Sequence, residues 1–309
     1  MEIEEYGEKF ASPFLKKALK IHSDTRRFMS DFLKDRGFIE LPPVIISGVT
    51  DPLNHPTSRS QIEIYGHIYE LTKSMIFHKQ LALHIADKIF AFSPNIRLEP
   101  EKRKTTGRHL IEFTQIDVEM RNTTREEIMD LGEDLVIYTM KKITEQDGDL
   151  LSSLGRKLKI PSKPFKKITF TDAYNEFSDK FEEELSKKAK EPFWIIDIPL
   201  KEREFYDRED PKRPGVLLDM DLIYPEGFGE AASGGEREFE LNQIYTRIAK
   251  KNQKPEQFKW YIEFGKKFGF PKSAGFGIGI ERFVRFITGA KRIEDVTPFP
   301  KGVGEFFPL

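Results

Sequence analysis

The stretch from Asn95 to Met120 alternates polar and apolar residues in two runs, and this period of two constrains the fold more than any other feature of the chain. In the first run, Arg97 and Glu99 share one face of a short strand. A polar loop at 100–108 separates it from the second run, which begins at His109. The pattern predicts a hairpin that packs one face on a core and presents charged groups on the other.

The charged face of this hairpin also carries an aromatic ring. His109, Phe113, Gln115, Asp117 and Glu119 point one way in the second run, and Leu110, Thr114, Ile116, Val118 and Met120 point the other way. A phenylalanine spaced among fixed charges is typical of a binding surface. The alternative is an amphipathic hairpin whose polar face is simply solvated.

Composition excludes several classes of protein. The 50 basic and 51 acidic residues give a net charge of −1, so no global attraction to nucleic acid or to an anionic membrane is expected. No apolar run reaches the ~18–20 residues of a membrane span, and the acidic N-terminal segment lacks the features of a signal peptide. We therefore expect a cytoplasmic protein with no membrane association.

The chain contains no cysteine. Disulfides, thiolate metal sites and a cysteine nucleophile are therefore all excluded. The six histidines do not form an HExxH motif or a clustered pair, so no zinc-binding motif is visible.

Helical and strand periods alternate along the chain, and they predict one α+β domain over residues 1–309, an antiparallel β-sheet flanked by helices. A strand at 38–46 contains Pro42 and Pro43, which places it at an edge or an interface, and residues 62–71 predict a hairpin turning at Tyr65-Gly66. The charged segment 201–215 is predicted to lie outside the core. Further predicted helices are 14–36, 74–92, 124–146, 171–190, 238–252 and 255–268, and further predicted strands are 193–198 and 216–224.

Near the C-terminus, GFGIGIER (275–282) has glycine at every second position. On a strand this spacing leaves one face without side chains, so a flat ligand or another backbone can approach it closely. Arg282 follows where the strand becomes a helix. A glycine-rich structural strand packed on a helix is the alternative. The segment is neither a dinucleotide fingerprint nor a phosphate loop.

Arg97 and Arg282 lie in separate predicted strand ends and suggest binding of an anion such as a triphosphate. Phe113 is suited to stack on a nucleobase. Asp221 and Glu230, with Asp219 as a third candidate, could hold Mg²⁺ that bridges phosphates. For each acid and for Arg237, a solvated surface position is an equally simple interpretation, and it is the default interpretation for Lys79.

Three segments together resemble the class II aminoacyl-tRNA synthetase catalytic core of the aspartyl/asparaginyl subgroup. Gly37-Phe38 through Pro42-Pro43 resembles motif 1, which implies a homodimer. Arg97-x-Glu99 with His109-x-x-x-Phe113 resembles motif 2, and Gly277-x-Gly279-x-Glu281-Arg282 resembles motif 3. The three occur in the correct order and span most of the chain.

The resemblance assigns roles to individual residues. For ATP it implies Arg97, Glu99, Arg108, His109, Phe113, Gly279 and Arg282, with Arg97 and Arg282 as the catalytic cations. For the amino acid it implies Lys79, Gln115, Asp117, Ser233 and Arg237, and for Mg²⁺ it implies Asp221 and Glu230. Two cations and one anion suit a dicarboxylate that carries one ammonium, as in aspartate. Which of Lys79 and Arg237 binds which carboxylate stays open.

Two departures from that subgroup alter the expected function. The catalytic core begins almost at residue 1, which predicts no anticodon-binding domain and no tRNA partner. The Gln-Ser-Pro-Gln element of the subgroup is replaced by Lys73-Ser74-Met75-Ile76 before Lys79. A stand-alone core of this kind resembles the archaeal asparagine synthetase-related proteins.

That resemblance implies amidation of aspartate by ATP through a β-aspartyl-adenylate, with release of AMP. Because the chain has no cysteine for a glutaminase, the expected nitrogen donor is free ammonia. One alternative is an aminoacyl transferase acting on tRNA or a protein, which the basic run Lys102-Arg103-Lys104 would favour. Another is a non-catalytic regulatory paralogue.

Overall fold

A computed structural model describes residues 3–55 and 57–305. Its centre is a mixed sheet of eight strands in the order β1-β5-β6-β11-β10-β9-β8-β7, in which only the outer pairs β1–β5 and β7–β8 are parallel. The strands are β1 (Ile39–Glu40), β5 (Lys88–Ile96), β6 (Glu112–Arg121), β7 (Lys166–Thr169), β8 (Phe193–Ile196), β9 (Asp219–Tyr224), β10 (Gly229–Glu236) and β11 (Ser273–Gly279). A small second sheet consists of β2 (Ile46–Ser47), β4 (His67–Leu71) and β3 (Gln61–Ile64).

Helices flank the large sheet, as the periodicity predicts. In the described residues they are α1 (Ile3–Ala11), α2 (Pro13–Lys34), α3 (Ile76–Ala82), α4 (Arg125–Ser153), α5 (Phe170–Phe177), α6 (Phe181–Lys188), α7 (Leu241–Lys250), α8 (Lys259–Phe268) and α9 (Ile280–Thr288). Helices α2, α4 and α9 cover one face of the sheet, where Ile116 and Val118 of β6 are fully buried. None of these helices combines the length and the apolar character needed to cross a membrane.

The opening hairpin forms, but its first strand lies earlier than the period predicts. Strand β5 ends at Ile96, so Arg97 and Glu99 follow the strand instead of lying within it. The prediction of a single helix over 74–92 is also wrong. The helix stops at Ala82, because the residues from Lys88 onward pair with β6 on one side and β1 on the other. This tertiary pairing overrides the helical spacing of the apolar residues.

Two other predicted helices have different ends. Helix α4 begins at the capping box of Thr124 and Glu127 as predicted, but it continues past residue 146 to Ser153 across a kink at Asp147. The helix predicted at 171–190 is divided between α5 and α6, because Ser178 has a φ of 52° that a helix does not accommodate.

Close contacts with carboxylates of the neighbouring strands explain glycines of β10 and β11. Gly275 lies opposite Glu119 of β6, and a Cβ at Gly275 would overlap the Glu119 carboxylate and the carbonyl of Val118. Gly235 on β10 lies opposite Asp219 of β9 in the same way. The bare face predicted for GFGIGIER therefore exists, and carboxylates of the neighbouring strands occupy part of it.

Candidate active site

Two adjoining cavities lie above this glycine floor. The larger one, about 210 Å³, contains every residue predicted to bind the amino acid: Lys79, Gln115, Asp117, Ser233 and Arg237. The second contains every residue predicted to bind ATP: Arg97, Glu99, Arg108, His109, Phe113, Gly279 and Arg282. Arg97, Gln115 and Glu230 line both. Residues predicted from separate motifs are thus brought together at one place.

Arg97 is held where the two cavities meet. Its Nε donates a hydrogen bond of 3.0 Å to the carbonyl of Lys73. Its guanidinium carbon lies 5.1 Å from the ring centroid of Phe113, within the range of a cation–π contact. Both interactions hold the planar guanidinium toward the cavities, in an orientation suited to bind a phosphate with two parallel hydrogen bonds.

Glu99 lies in a network that extends from the loop after β2 to the loop after β5. His55 Nε2 is 3.1 Å from both Glu99 oxygens, and Arg103 Nε is 3.3 Å from one of them. Burial favours the protonated acid, but His55 and Arg103 outweigh it and hold the pKa of Glu99 below its ordinary value. The loop at 47–60, whose position 56 is not described, is thus joined to the ATP cavity.

His109 contacts the same network. Its Nε2 is 2.8 Å from Arg103 Nη1 and its Nδ1 is 2.6 Å from Thr106 Oγ1. Burial and then the positive charges of Arg282, Arg108 and Arg103 lower the pKa of His109 to about 3. The imidazole is therefore neutral at physiological pH and can accept a hydrogen bond from arginine.

Arg282 lies in the first turn of α9 and pairs with Glu230, at 3.3 Å between Nη1 and Oε2. The neighbouring Glu281 fixes the helix on β6, because its carboxylate accepts hydrogen bonds of 3.0 and 3.2 Å from the amide of Thr114. Arg108 pairs with Glu182 of α6. Although burial opposes it, the surrounding arginines lower the pKa of Glu230 to about 2.

At the amino-acid end, charges alternate across the strands. Lys79 Nζ is 2.9 Å from Asp117 Oδ1 and 3.5 Å from Glu119 Oε2. Arg237 Nε is 3.1 Å from Glu119 Oε1, and its Nη1 is 3.2 Å from Asp207 Oδ1. All five side chains are at most 6% exposed. Lys79 and Arg237 are therefore buried in an ion-pair network, and the surface interpretation of both is wrong.

A buried chain of polar side chains also positions Gln115, and no motif in the sequence indicates it. Ser93 Oγ donates to Asn95 Oδ1 at 3.1 Å, and Asn95 Nδ2 donates to Gln115 Oε1 at 2.6 Å. Ser93 and Asn95 are fully buried on β5. Their pairing with Gln115 depends on the register of β5 against β6.

The predicted metal ligands lie on neighbouring strands and are both neutralised by arginine. Arg203 Nη2 is 2.5 Å from both oxygens of Asp221, and Asp221 lines neither cavity. Burial, opposed by Arg203 and reinforced by the negative charge of Glu230, raises the pKa of Asp221. Two carboxylates that repel one another suit a divalent cation whose other ligands are phosphate oxygens, so this donor set fits Mg²⁺. The described residues contain no group of three or more metal-binding side chains.

The segment 201–215, expected outside the core, supplies one wall of the larger cavity. Phe205 is fully buried, and Arg203, Glu204, Tyr206 and Asp207 line the cavity together with Asp219. The expectation is wrong for residues 203–207, because Arg203 and Asp207 pair with charged groups of other strands instead of with water. Residues 211–215 are exposed, as expected. A signal was present in EREFYD (202–207), where two aromatic residues lie among fixed charges as Phe113 does.

Comparisons with known proteins agree with this architecture. The family model described as tRNA synthetases class II (D, K and N) matches residues 6–303. The asparagine–tRNA ligase of Pelotomaculum thermopropionicum is 28% identical over 299 residues, covering 92% of this chain and 68% of the relative. That of Thermoplasma acidophilum is 25% identical over 301 residues, covering 92% and 69%.

Among solved structures, asparaginyl-tRNA synthetase from Pyrococcus horikoshii complexed with asparaginyl-adenylate superposes with a TM-score of 0.87. It is 23% identical, and the match covers 96% of this chain and 71% of that one, so the similarity shows the fold. The asparaginyl-tRNA synthetase of Entamoeba histolytica gives a TM-score of 0.86. With nearly its whole length matched by the family model, the chain belongs to the class II tRNA synthetases of the D, K and N group.

Proposed function

We propose that this protein activates aspartate with ATP as a β-aspartyl-adenylate and transfers the acyl group to free ammonia, forming asparagine and AMP. The observation that supports aspartate is the pair of buried cations, Lys79 and Arg237, beside the cavity of the ATP residues. A dicarboxylate requires two cationic partners, whereas the neutral amide of asparagine does not.

In the proposed first step, an oxygen of the aspartate side-chain carboxylate attacks the α-phosphorus of ATP. A new P–O bond forms, the bond to the β-phosphate oxygen breaks, and pyrophosphate leaves with the electron pair. Arg97 would neutralise charge on the α-phosphate and Arg282 on the γ-phosphate, while Phe113 stacks on adenine and Glu99 accepts from its amino group. These residues would act by positioning and by charge stabilisation.

Asp221 and Glu230 would hold Mg²⁺, which neutralises phosphate charge when it is bound. Lys79 and Arg237 would bind the two carboxylates, and Asp117 would accept the α-ammonium. Gln115 and Ser233 lie in the same cavity and would complete the amino-acid contacts.

A second candidate is aminoacyl transfer to tRNA, and the printed activity of both sequence relatives favours it. Two lysines of the loop between β5 and β6, Lys102 and Lys104, are exposed and could contact a nucleic-acid backbone. Under this alternative the same adenylate site would serve a different acceptor.

The test is to incubate purified protein with ATP, Mg²⁺, aspartate and ammonium, and in parallel with labelled aspartate or asparagine and tRNA. We expect asparagine and AMP in equal amounts, together with aspartate-dependent exchange of pyrophosphate into ATP. Exchange without asparagine, accompanied by label on tRNA, would replace the proposal with the second candidate. Absence of exchange with either amino acid would point to a regulatory paralogue.

A further inference from the structure

Four carboxylates line one side of the larger cavity: Asp51, Glu204, Asp207 and Asp219, here called the acidic cluster. Each is at most 5% exposed. They come from three parts of the chain, namely the loop after β2, the segment that precedes β9, and β9 itself. The function proposed above gives none of the four a role, although Asp219 was also a third candidate ligand of Mg²⁺.

The two arginines that contact the acidic cluster also contact carboxylates outside it. Arg203 contacts both Asp219 and Asp221, at 3.3 and 2.5 Å. Arg237 donates to both Asp207 and Glu119, and also to the carbonyl of Gly275. Because each arginine serves two carboxylates, the cluster retains an excess of negative charge.

Neutral donors satisfy only part of the remaining oxygens. Tyr206 donates its hydroxyl to Asp51 at 3.0 Å, and Gln253 donates to Glu204 at 3.0 Å. Asp219 Oδ1 has no hydrogen-bond partner among the described residues, although the side chain is 1% exposed and lines the cavity. A buried acceptor without a donor is rare and energetically unfavourable, so this oxygen indicates a missing donor.

We propose that the acidic cluster is a binding site for ammonium, the second substrate, with Asp219 and Asp207 as its principal acceptors. Ammonium is a small cation with four N–H donors. It would offset the negative charge of the cluster and donate a hydrogen bond to Asp219 Oδ1. The inference rests on the proposed function, because only amidation requires this substrate. The cavity that contains the cluster also contains Lys79 and Arg237, so the nitrogen would enter beside the activated carboxylate.

Bound ammonium must lose a proton before it can attack. Burial, only partly opposed by Arg237 and Arg203 and assisted by Asp51, raises the pKa of Asp207 to about 6, which suits a proton acceptor near neutral pH. The nitrogen lone pair then forms the C–N bond to the acyl carbon. The C–O bond to the phosphate breaks, AMP leaves with that electron pair, and a second proton leaves nitrogen to give the amide.

Asp219→Asn and Asp207→Asn test the site by separating the two half-reactions. We expect each variant to raise the KM for ammonium in asparagine synthesis at least tenfold. In Asp219→Asn, whose carboxylate pairs with Arg203, the KM for aspartate in pyrophosphate exchange should change less than threefold. Retained exchange would demonstrate that each variant is folded. Asp210→Asn is the matched control, because Asp210 pairs with Arg213 outside the cavity.

Hydroxylamine provides a second measurement, since it is mostly uncharged at neutral pH and does not require a cation site. Both variants should form aspartyl hydroxamate at rates close to wild type while their use of ammonium falls. An unchanged KM for ammonium would overturn the ammonium site and leave the proposed function intact. A raised KM for aspartate in Asp219→Asn would instead assign the cluster to the substrate's own α-ammonium. If the wild type makes no asparagine, the proposed function fails, and the ammonium site with it.

Discussion

Arg97 is the residue on which adenylate formation should depend most directly. Replacing it with alanine removes the phosphate-binding guanidinium at the junction of the two cavities, so we expect pyrophosphate exchange to fall about a hundredfold or more. The dimer expected from motif 1 should be retained. Arg121→Ala, at the exposed end of β6, is the control. Full activity in Arg97→Ala would refute the assignment of motif 2.

Lys79 is expected to contribute both to aspartate binding and to the free energy of unfolding. Lys79→Met leaves Asp117 and Glu119 with one buried cation fewer, and removal of one partner from such a pair lowers the free energy of unfolding by about 3–5 kcal/mol. Urea denaturation would measure this loss. The double variant Lys79→Met/Asp117→Asn should recover part of it, because one uncompensated charge is removed. No recovery would show that Lys79 acts through packing alone.

His109 should make stability depend on pH. Its pKa is lowered from 6.5 to about 3 on folding, so between these values the unfolded chain binds more protons than the folded one. This residue therefore contributes an unfolding free energy that increases with pH from about 3 to 6.5. In His109→Asn we expect a shallower increase across pH 4–6.5 than in wild type. Equal slopes in denaturation series at stepped pH would contradict the burial of a neutral imidazole.

At the scale of elements, the glycines of β10 and β11 allow adjacent carboxylates to lie across the sheet. Gly275→Ala would place a methyl group against Glu119 and the Val118 carbonyl, and overpacking of this kind costs about 1–3 kcal/mol. Gly148→Ala in α4 is the opposite case. A Cβ there would meet no described atom within 4 Å beyond its own helix backbone, and alanine in a helix is favoured over glycine by about 1 kcal/mol. Thermal unfolding should shift in opposite directions for the two variants.

At the scale of the molecule, the edge at β1 and the small sheet expose large apolar side chains. They include Ile39, Ile45, Ile46, Ile62, Tyr65 and Ile68. Because contiguous exposed apolar residues mark association surfaces and motif 1 implies a dimer, we expect a homodimer through this edge. Sedimentation should give a dimer at micromolar concentration for the wild type and a monomer for Ile39→Asp. Trp260→Asp, on α8, is the control.

The sequence by itself determined much of the local structure around the two cavities. Period two, alternate glycines and the capping box at Thr124 specified the hairpin, the bare strand and the start of α4, because each depends on residues close together in the chain. Motifs 2 and 3, with the loop inside motif 2, also contain the residues predicted to bind ATP, all of which line the second cavity. The turn at Tyr65-Gly66 forms as predicted, with φ values of 52° and 79°.

Only the tertiary structure decided which charges meet. Glu119 pairs with Arg237, and Arg203 pairs with Asp221. Asp219 Oδ1 has no donor within the described part of the chain. None of these facts follows from spacing along the chain. The reason is register: a shift of one residue between strands turns every side chain to the other face, and long-range pairing sets that register. Long-range pairing also brought residues 203–207 into the wall of the larger cavity. Their charges had indicated solvent because their partners lie on other strands.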